Sequence, residues 1–356
     1  MDFLKTNPCV FVIGKEYEIV VLLRKCGLVS IGVGEEIFYP ENNGVLKSET
    51  DIHKIRVPME ALDSAEGYTV IYRESIDRKR YRSVFGDREH AIFSFKPVKR
   101  GAPIRAYHIA DVHYRFEVAK ATCSYLGDDT DLYILGGDIG ECDTVENYHE
   151  VLKFVGELAG GSIPVLFVRG NHDARGRHAE LYSKFFPTNG EKTYFTFEIG
   201  DIKGIALDCG EDKPDAHPEY SGTGAFEIYR RRELDFLRSL EGEYDVAVSH
   251  ICPARVIPEA GSIFDIEREV YGKWNGELER LGVKLMLTGH LHELEYLPPN
   301  DKRSLLPHSY HIVVGSACPE EDGRLSGAAL ELSKDGATIL FTNEKRECTE
   351  EHKLNF

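Results

Sequence analysis

The sequence predicts an α/β protein in which an N-terminal antiparallel β-sandwich precedes a layered α/β domain with mixed sheets. Residues 1 to about 100 hold short β-rich runs and no helical period. From Ile104 onward, apolar strand-like runs alternate with longer helical patterns. Five short clusters of Asp, Asn and His each follow one of those later runs.

The first region contains Val10–Ile13, Ile19–Leu23, Leu28–Val33, Lys54–Val57, Tyr68–Arg73 and Ala91–Phe95, rich in Val, Ile, Tyr and Phe. Turn-prone stretches such as Glu41-Asn42-Asn43-Gly44 and Ser64-Ala65-Glu66-Gly67 separate them. Tyr68, six residues after Leu62, matches the tyrosine corner of immunoglobulin-like and fibronectin-like sandwiches as well as it matches an ordinary core tyrosine. Lys96–Pro103, with two prolines, a glycine and three basic residues, is the expected linker. The expected domains are therefore 1–98, an accessory sandwich, and 99–356.

In the second region the expected strands are Ile104–Ile109, Leu132–Leu135, Val165–Val168, Gly204–Leu207, Val246–Val248, Leu285–Leu287 and Ile312–Val314. Val145–Leu158 and Arg232–Leu240 carry apolar residues at helical spacing. Ala328–Leu332 and Thr338–Thr342 flank Lys334-Asp335-Gly336, a hairpin signal that makes the second sheet system mixed.

The net charge of −17 opposes broad binding to nucleic acid or to an anionic membrane. The eight cysteines form no C-x-x-C pair and are scattered, which favours reduced thiols. The N-terminus lacks the basic start and long apolar core of a secretory signal, and no apolar run suffices for a transmembrane helix. The expected compartment is the cytoplasm, and the sequence leaves the oligomeric state open.

The five clusters are Asp111-Val112-His113, Gly136-Gly137-Asp138, Gly170-Asn171-His172-Asp173, Ser249-His250 and Gly289-His290-Leu291-His292. Loops beyond the carboxyl ends of strands in one sheet converge on one crevice. Asp oxygens, imidazole nitrogens and an Asn carbonyl form a mixed N/O donor set that suits Mn, Fe, Ni or Zn. The set lacks the thiolates of a structural zinc site.

In order and placement, these clusters resemble those of the calcineurin-like metallophosphoesterase superfamily over roughly residues 104–320. The resemblance implies an α/β/β/α domain with two divalent or mixed-valence ions (Mn, Fe, Zn or Ni). It gives Asp111, His113 and His292 to the first ion and Asn171, His250 and His290 to the second, with Asp138 as the bridge. It makes His172 the residue that stabilises the transferring phosphate or protonates the leaving oxygen, and Asp173 its orienting partner. It implies a hydroxide between the ions as nucleophile and a small phosphorylated substrate. The two-region plan is also reminiscent of purple acid phosphatases. Their tyrosine ligand is missing, however, because Ile139, Gly140 and Glu141 follow Asp138. Their first motif also lacks the histidine present here as His113.

A phosphomonoester is the favoured substrate class, with Arg175 and Arg177 as forked donors to its terminal charge or, equally, as solvated loop residues. A phosphodiester, for example a cyclic nucleotide, is the alternative on the same site. A non-catalytic binding protein on the same fold is the alternative of another class, and its expected mark, lost ligands, is absent from the motifs. Asp208 is either an orienting carboxylate for a ligand histidine or a turn residue. Cys142 is expected to be buried and inert, His108 packed, His149 on the surface, and His308 and His311 away from the site. Glu211–Phe226, aperiodic and long, is expected to overhang the cleft and influence substrate choice.

Overall fold

Strands buried on both faces need no alternation, whereas a strand with one face to water alternates. Both patterns occur early in the chain. Cys9–Ile13 is buried at every position, while Gly27–Val33 alternates buried and half-buried. The two belong to different sheets. The computed structural model describes residues 2–40, 44–254, 261–316 and 324–356, so Cys318 lies outside the described residues.

The first hundred residues form β1 (Cys9–Ile13), β2 (Glu16–Leu22), β3 (Gly27–Val33), β4 (Glu36–Phe38), β5 (Ile52–Pro58), α1 (Met59–Ala65), β6 (Gly67–Asp77), β7 (Val84–Phe85) and β8 (Glu89–Ser94). Then follow β9 (Ile104–Ile109), α2 (Phe116–Cys123), β10 (Leu132–Leu135), α3 (Val145–Ala159), β11 (Val165–Phe167), α4 (Tyr182–Phe185), β12 (Phe195–Ile199) and β13 (Ile202–Leu207). The remainder is α5 (Phe226–Ser239), β14 (Val246–Ser249), α6 (Arg268–Arg280), β15 (Leu285–Thr288), β16 (Glu293–Leu297), β17 (His311–Ser316), β18 (Ser326–Leu332), β19 (Gly336–Asn343) and β20 (Cys348–Asn355).

Three sheets result among the described residues. A nine-stranded sheet runs β20-β19-β18-β9-β10-β11-β1-β2-β5, and a six-stranded sheet runs β12-β13-β14-β15-β17-β16. A smaller sheet runs β4-β3-β6-β7, with β8 also on β6. The two large sheets share one core, in which Ala106, Ile134 and Leu166 meet Phe197, Val248 and Leu287. Helices α2 and α3 cover the outer face of the nine-stranded sheet through Ala119, Tyr148, Val151 and Val155. Helices α5 and α6 cover the six-stranded sheet through Leu234, Leu237, Trp274 and Leu278. This is the expected α/β/β/α layering. Thr144 starts α3 in a reciprocal capping box with Asn147, and Gly160 ends it in the left-handed region.

The expected boundary at residue 98 does not divide the sheets. β1 pairs in parallel with β11 through Phe11 and Val165, so β1, β2 and β5 extend the catalytic sheet. The smaller sheet stacks on them, with Val29, Ile31, Val70 and Tyr72 in the same core as Val10, Val21 and Val57. The two-layer packing is present, but one layer belongs to the large sheet. Tyr68 is likewise no corner within a sandwich. Its hydroxyl donates to Gly161 O (2.8 Å), tying the smaller sheet to the loop after α3. The expected linker is anchored too, because Lys96 Nζ donates to Asp128 O and Thr130 O (both 2.9 Å).

The seven described cysteines are free thiols. Among the described residues no helix is long and apolar enough to cross a membrane.

His53, in β5, is buried with neither ring nitrogen hydrogen-bonded. Burial lowers its pKa to about 4. The unfolded chain takes up this proton near pH 6.5 and the folded chain resists it, so stability is full above pH 6.5 and falls as the pH drops toward 4. Replacing His53 with Leu should remove this part of the acid loss, up to about 3 kcal/mol, measured by denaturant unfolding at pH 7 and pH 4.5.

Candidate metal centre

The site lies where the ends of β9, β10, β11, β14 and β15 meet. The loops after β9 and β10 are joined by backbone hydrogen bonds. Asp111 N–H donates to Gly137 O (3.0 Å), His113 N–H to Asp138 O (3.1 Å) and Tyr114 N–H to Ile139 O (3.3 Å). From the other sheet, Gly289 N–H donates to His250 O (3.0 Å) and His290 N–H to Asp111 Oδ2 (2.8 Å).

Asp111, His113, Asp138, His290 and His292 all adopt positive φ, between 45° and 73°. Each such non-glycine residue costs about 1–2 kcal/mol. Clusters of this strain persist where surrounding structure fixes a functional geometry. Gly170 is required by closeness rather than by φ: a Cβ there would lie 2.1 Å from Asp138 Oδ1.

The side chains converge accordingly. Asp111, His113 and His292 place one donor atom each within 4.8 Å of one another, and so do Asp111, Asp138 and His250. His292 Nε2 lies 3.4 Å from Asp111 Oδ1 and from His113 Nε2. His250 Nε2 lies 3.1 Å from Asp138 Oδ2, and His290 Nδ1 lies 3.1 Å from Asn171 Oδ1. Asp138 therefore stands between the two expected ligand groups.

Two observations test whether this set fits divalent ions. Asp111 Oδ1 and His250 Nε2 are buried and lack a hydrogen-bond partner, which is costly unless a cation takes them. The opposite nitrogen of His250, Nδ1, lies 2.8 Å from Gly136 O, the outer contact that leaves Nε2 to a metal. The carboxylates of Asp111 and Asp138 also draw positive charge to this point, a proton on His250 or, in its place, a cation. Burial opposes a proton on His250, but Asp138 and Asp111 outweigh it and raise its pKa to about 10. For Asp138, burial is likewise outweighed by His250, and its pKa falls below the usual carboxylate range. Burial and the proton on His250 lower the pKa of His290 to about 4.

His172, expected outside the ion shell, lies close beside it. Its Nε2 lies 4.0 Å from Asp138 Oδ2, and it forms a third donor group with His113 and Asp138. Its side chain is 37% exposed, so it faces the cleft from the rim.

Asp173 differs from the expected partner of His172. Its Oδ2 accepts N–H bonds from Gly170 (2.8 Å) and Asp138 (2.9 Å). It therefore clamps two ligand-bearing loops together and does not orient the imidazole. Burial, together with the charge of Asp138, raises its pKa.

Arg175 also differs from expectation. Its fork sits on Glu211 in two 2.7 Å bonds, and it pairs with Asp212 (3.1 Å) and Glu219 (3.2 Å). Three carboxylates therefore occupy the expected phosphate donor. Arg177 is exposed. Replacing Arg175 with Gln should lower stability by about 3 kcal/mol, because buried Glu211 loses its cation and is left with the Tyr220 hydroxyl (2.8 Å). A raised KM at unchanged stability, from melting curves beside kinetics, would restore the substrate-binding role.

The same contacts carry Glu211–Phe226 to the edge of the site, where Asp212 Oδ2 lies 4.0 Å from His290 Nε2. Asp212 was not marked by any motif. Asp208 orients no histidine. It pairs with Arg169 (2.7 Å), the residue before Gly170, and accepts from Thr193. Cys142 is buried and donates to Asp173 O (3.2 Å). His108 is buried, His149 lies near Lys5 and Asp51, and His308 and His311 bond to Tyr310 O and Tyr296. Tyr114, the tyrosine nearest the ligands in sequence, has its hydroxyl bonded to both backbone groups of Glu141.

The sequence model of the calcineurin-like phosphoesterase family matches residues 104–294, more than half of the chain. The chain belongs to that family and is a metal-dependent phosphoester hydrolase; the family implies a dinuclear divalent centre. Among solved structures, the purple acid phosphatase PPD1 from yellow lupin (Lupinus luteus) seeds aligns with a TM-score of 0.63 at 12% identity. The alignment covers 99% of this chain and 75% of that one. PhoD aligns with a TM-score of 0.54 at 10% identity, covering 99% and 92%. At these identities the likeness is one of fold. No curated protein matches the sequence.

Proposed function

We propose that the chain hydrolyses phosphodiesters, with Asp111, His113, His292 and Asp138 holding one ion and Asp138, Asn171, His250 and His290 the other. The observation that carries the choice of diester is Arg175. A monoester brings an extra negative charge that needs a fixed cation. Of the two arginines singled out in the sequence for that charge, Arg175 is spent on Glu211, Asp212 and Glu219, and Arg177 is exposed. Asp212 adds a carboxylate beside His290. A diester, with one negative charge, suffers less from that carboxylate.

When bound, the ion pair supplies a water of lowered pKa and positive charge against the phosphoryl oxygens. The chain supplies the rest. Asp138 is fixed by the N–H of His172 on Oδ1 (2.8 Å) and by Asp173 on its own N–H. Hydrolysis breaks the P–O bond to the leaving group and makes one to the oxygen of water. His172, on the rim, is placed to give the leaving oxygen its proton. The loop Glu211–Phe226 forms the wall against which the second ester group rests.

The test is a comparison of kcat/KM for matched aryl phosphodiesters and phosphomonoesters, with Mn, Fe, Ni and Zn in turn. The diester should be the better substrate with every active metal. Preference for the monoester would return the assignment to the phosphatase reading, with Arg177 as the remaining donor. Loss of both activities with ligands intact would favour a binding role.

A further inference from the structure

Strand β6 runs into a hairpin whose tip is Arg78-Lys79-Arg80-Tyr81-Arg82 before the chain returns in β7. All five tip residues are exposed. Among the described residues, some exposed cations elsewhere, Lys25, Arg268, Lys273 and Arg280 among them, sit against carboxylates, whereas others such as Arg177 and Lys334 do not; what sets the tip apart is four cations within five residues. In the tip, Lys79 pairs with Asp77. Arg78 donates to Ser83 Oγ (3.1 Å), and Arg80 lies 5.3 Å from the centre of the Tyr81 ring. Apolar side chains are interleaved with these cations: Ile76 is 60% exposed, Tyr81 74% and Val84 46%.

We propose that this hairpin docks the protein on an anionic lipid surface. The four cations would lie over the headgroups, while Ile76, Tyr81 and Val84 enter the boundary below them. Long basic side chains and amphipathic tyrosine both favour that boundary, where one end is apolar and the other wet. Cations near such a surface are attracted by its negative potential. The expectation of no membrane partner came from the net charge of −17, a sum that hides a local excess of the opposite sign. The attraction decays over about 8 Å at physiological salt, so a surface at the exposed tip is felt by its cations more strongly than by carboxylates farther away.

A nucleic acid fits the tip less well. Arg80 lies over one face of Tyr81, which leaves a single aromatic face for stacking where single-strand binders use several aromatic rings. Exposed Ile76 and Val84 would have no partner in a phosphate backbone, whereas a lipid boundary takes them.

The test uses the full chain and co-sedimentation with phosphatidylcholine vesicles, with and without phosphatidylserine. Binding should require phosphatidylserine and weaken as salt is raised. Each cation should contribute on the order of fivefold, so replacing Arg78, Lys79, Arg80 and Arg82 together with Gln should cost on the order of a hundredfold or more. Ile76→Ser combined with Tyr81→Ser should weaken binding while its salt dependence persists. Unchanged melting temperatures confirm that both variants fold. Equal binding to both vesicle types, or binding by the fourfold variant like that of the wild type, would overturn the proposal. So would hairpin-dependent binding to an RNA oligonucleotide with none to vesicles. Each result is independent of which phosphoester is hydrolysed.

Discussion

Replacing Asp138 with Asn is expected to abolish hydrolysis and release metal together. The substitution keeps the shape and removes the charge. Asp138 is the carboxylate that His250 contacts at 3.1 Å and that shares donor groups with Asp111, His113 and His172. Losing it leaves both ligand sets without their common anion. It also leaves His250 buried beside one carboxylate instead of two, since Asp111 lies 3.7 Å away. The loss in kcat should be at least on the order of 10³-fold, the upper end for a single electrostatic group. Elemental analysis of the dialysed variant should show both ions depleted, with the melting temperature of the metal-free protein little changed.

Replacing His172 with Ala should separate the two effects. Its imidazole lies at the rim, and its N–H, which holds Asp138 Oδ1, survives the substitution. Metal content should therefore persist while turnover falls on the order of 10²–10⁴-fold, the range for a lost general acid. The loss should be small for esters with an acidic leaving alcohol and large for alkyl esters, because only the latter need the proton. A uniform loss across leaving groups would instead assign His172 to stabilising the phosphoryl charge. A loss of metal would place it among the ligands.

The convergence of the candidate site was largely legible because its residues sit in short local motifs that follow apolar strands. Asp111, His113, Asp138, Asn171, His250, His290 and His292 all meet where those strands end. Contacts made between motifs were not legible. Asp173 bonds to the backbone of Asp138, 35 residues away, and nothing in the G-N-H-D turn distinguishes that bond from one to His172. Arg175 follows the turn as a phosphate donor would, but its partners Glu211, Asp212 and Glu219 lie in an aperiodic loop.

The fold shows the same limit. Most strands were legible in both regions, but β4, β7, β12, β16 and β20 were not, and the expected domain boundary is crossed by one parallel pairing, β1 with β11, made across about 150 residues of sequence. A local signal was present. Cys9–Ile13 is continuously apolar, as a strand covered on both faces must be, whereas Leu28–Val33 alternates. Helix α3 was found almost whole, because Val151, Leu152, Val155 and Leu158 recur at helical spacing. The expected start of α5 was late: the helix begins at Phe226, where charged residues interrupt the apolar period.

The most direct test of the dinuclear assignment is metal stoichiometry in three proteins: the wild type, His292→Ala and His290→Ala. The expected result is two ions per chain in the wild type and about one in each single variant, because the proposal assigns the two histidines to different ions. Two ions retained in both variants, or one ion per chain in the wild type, would contradict the assignment of two ligand sets joined at Asp138.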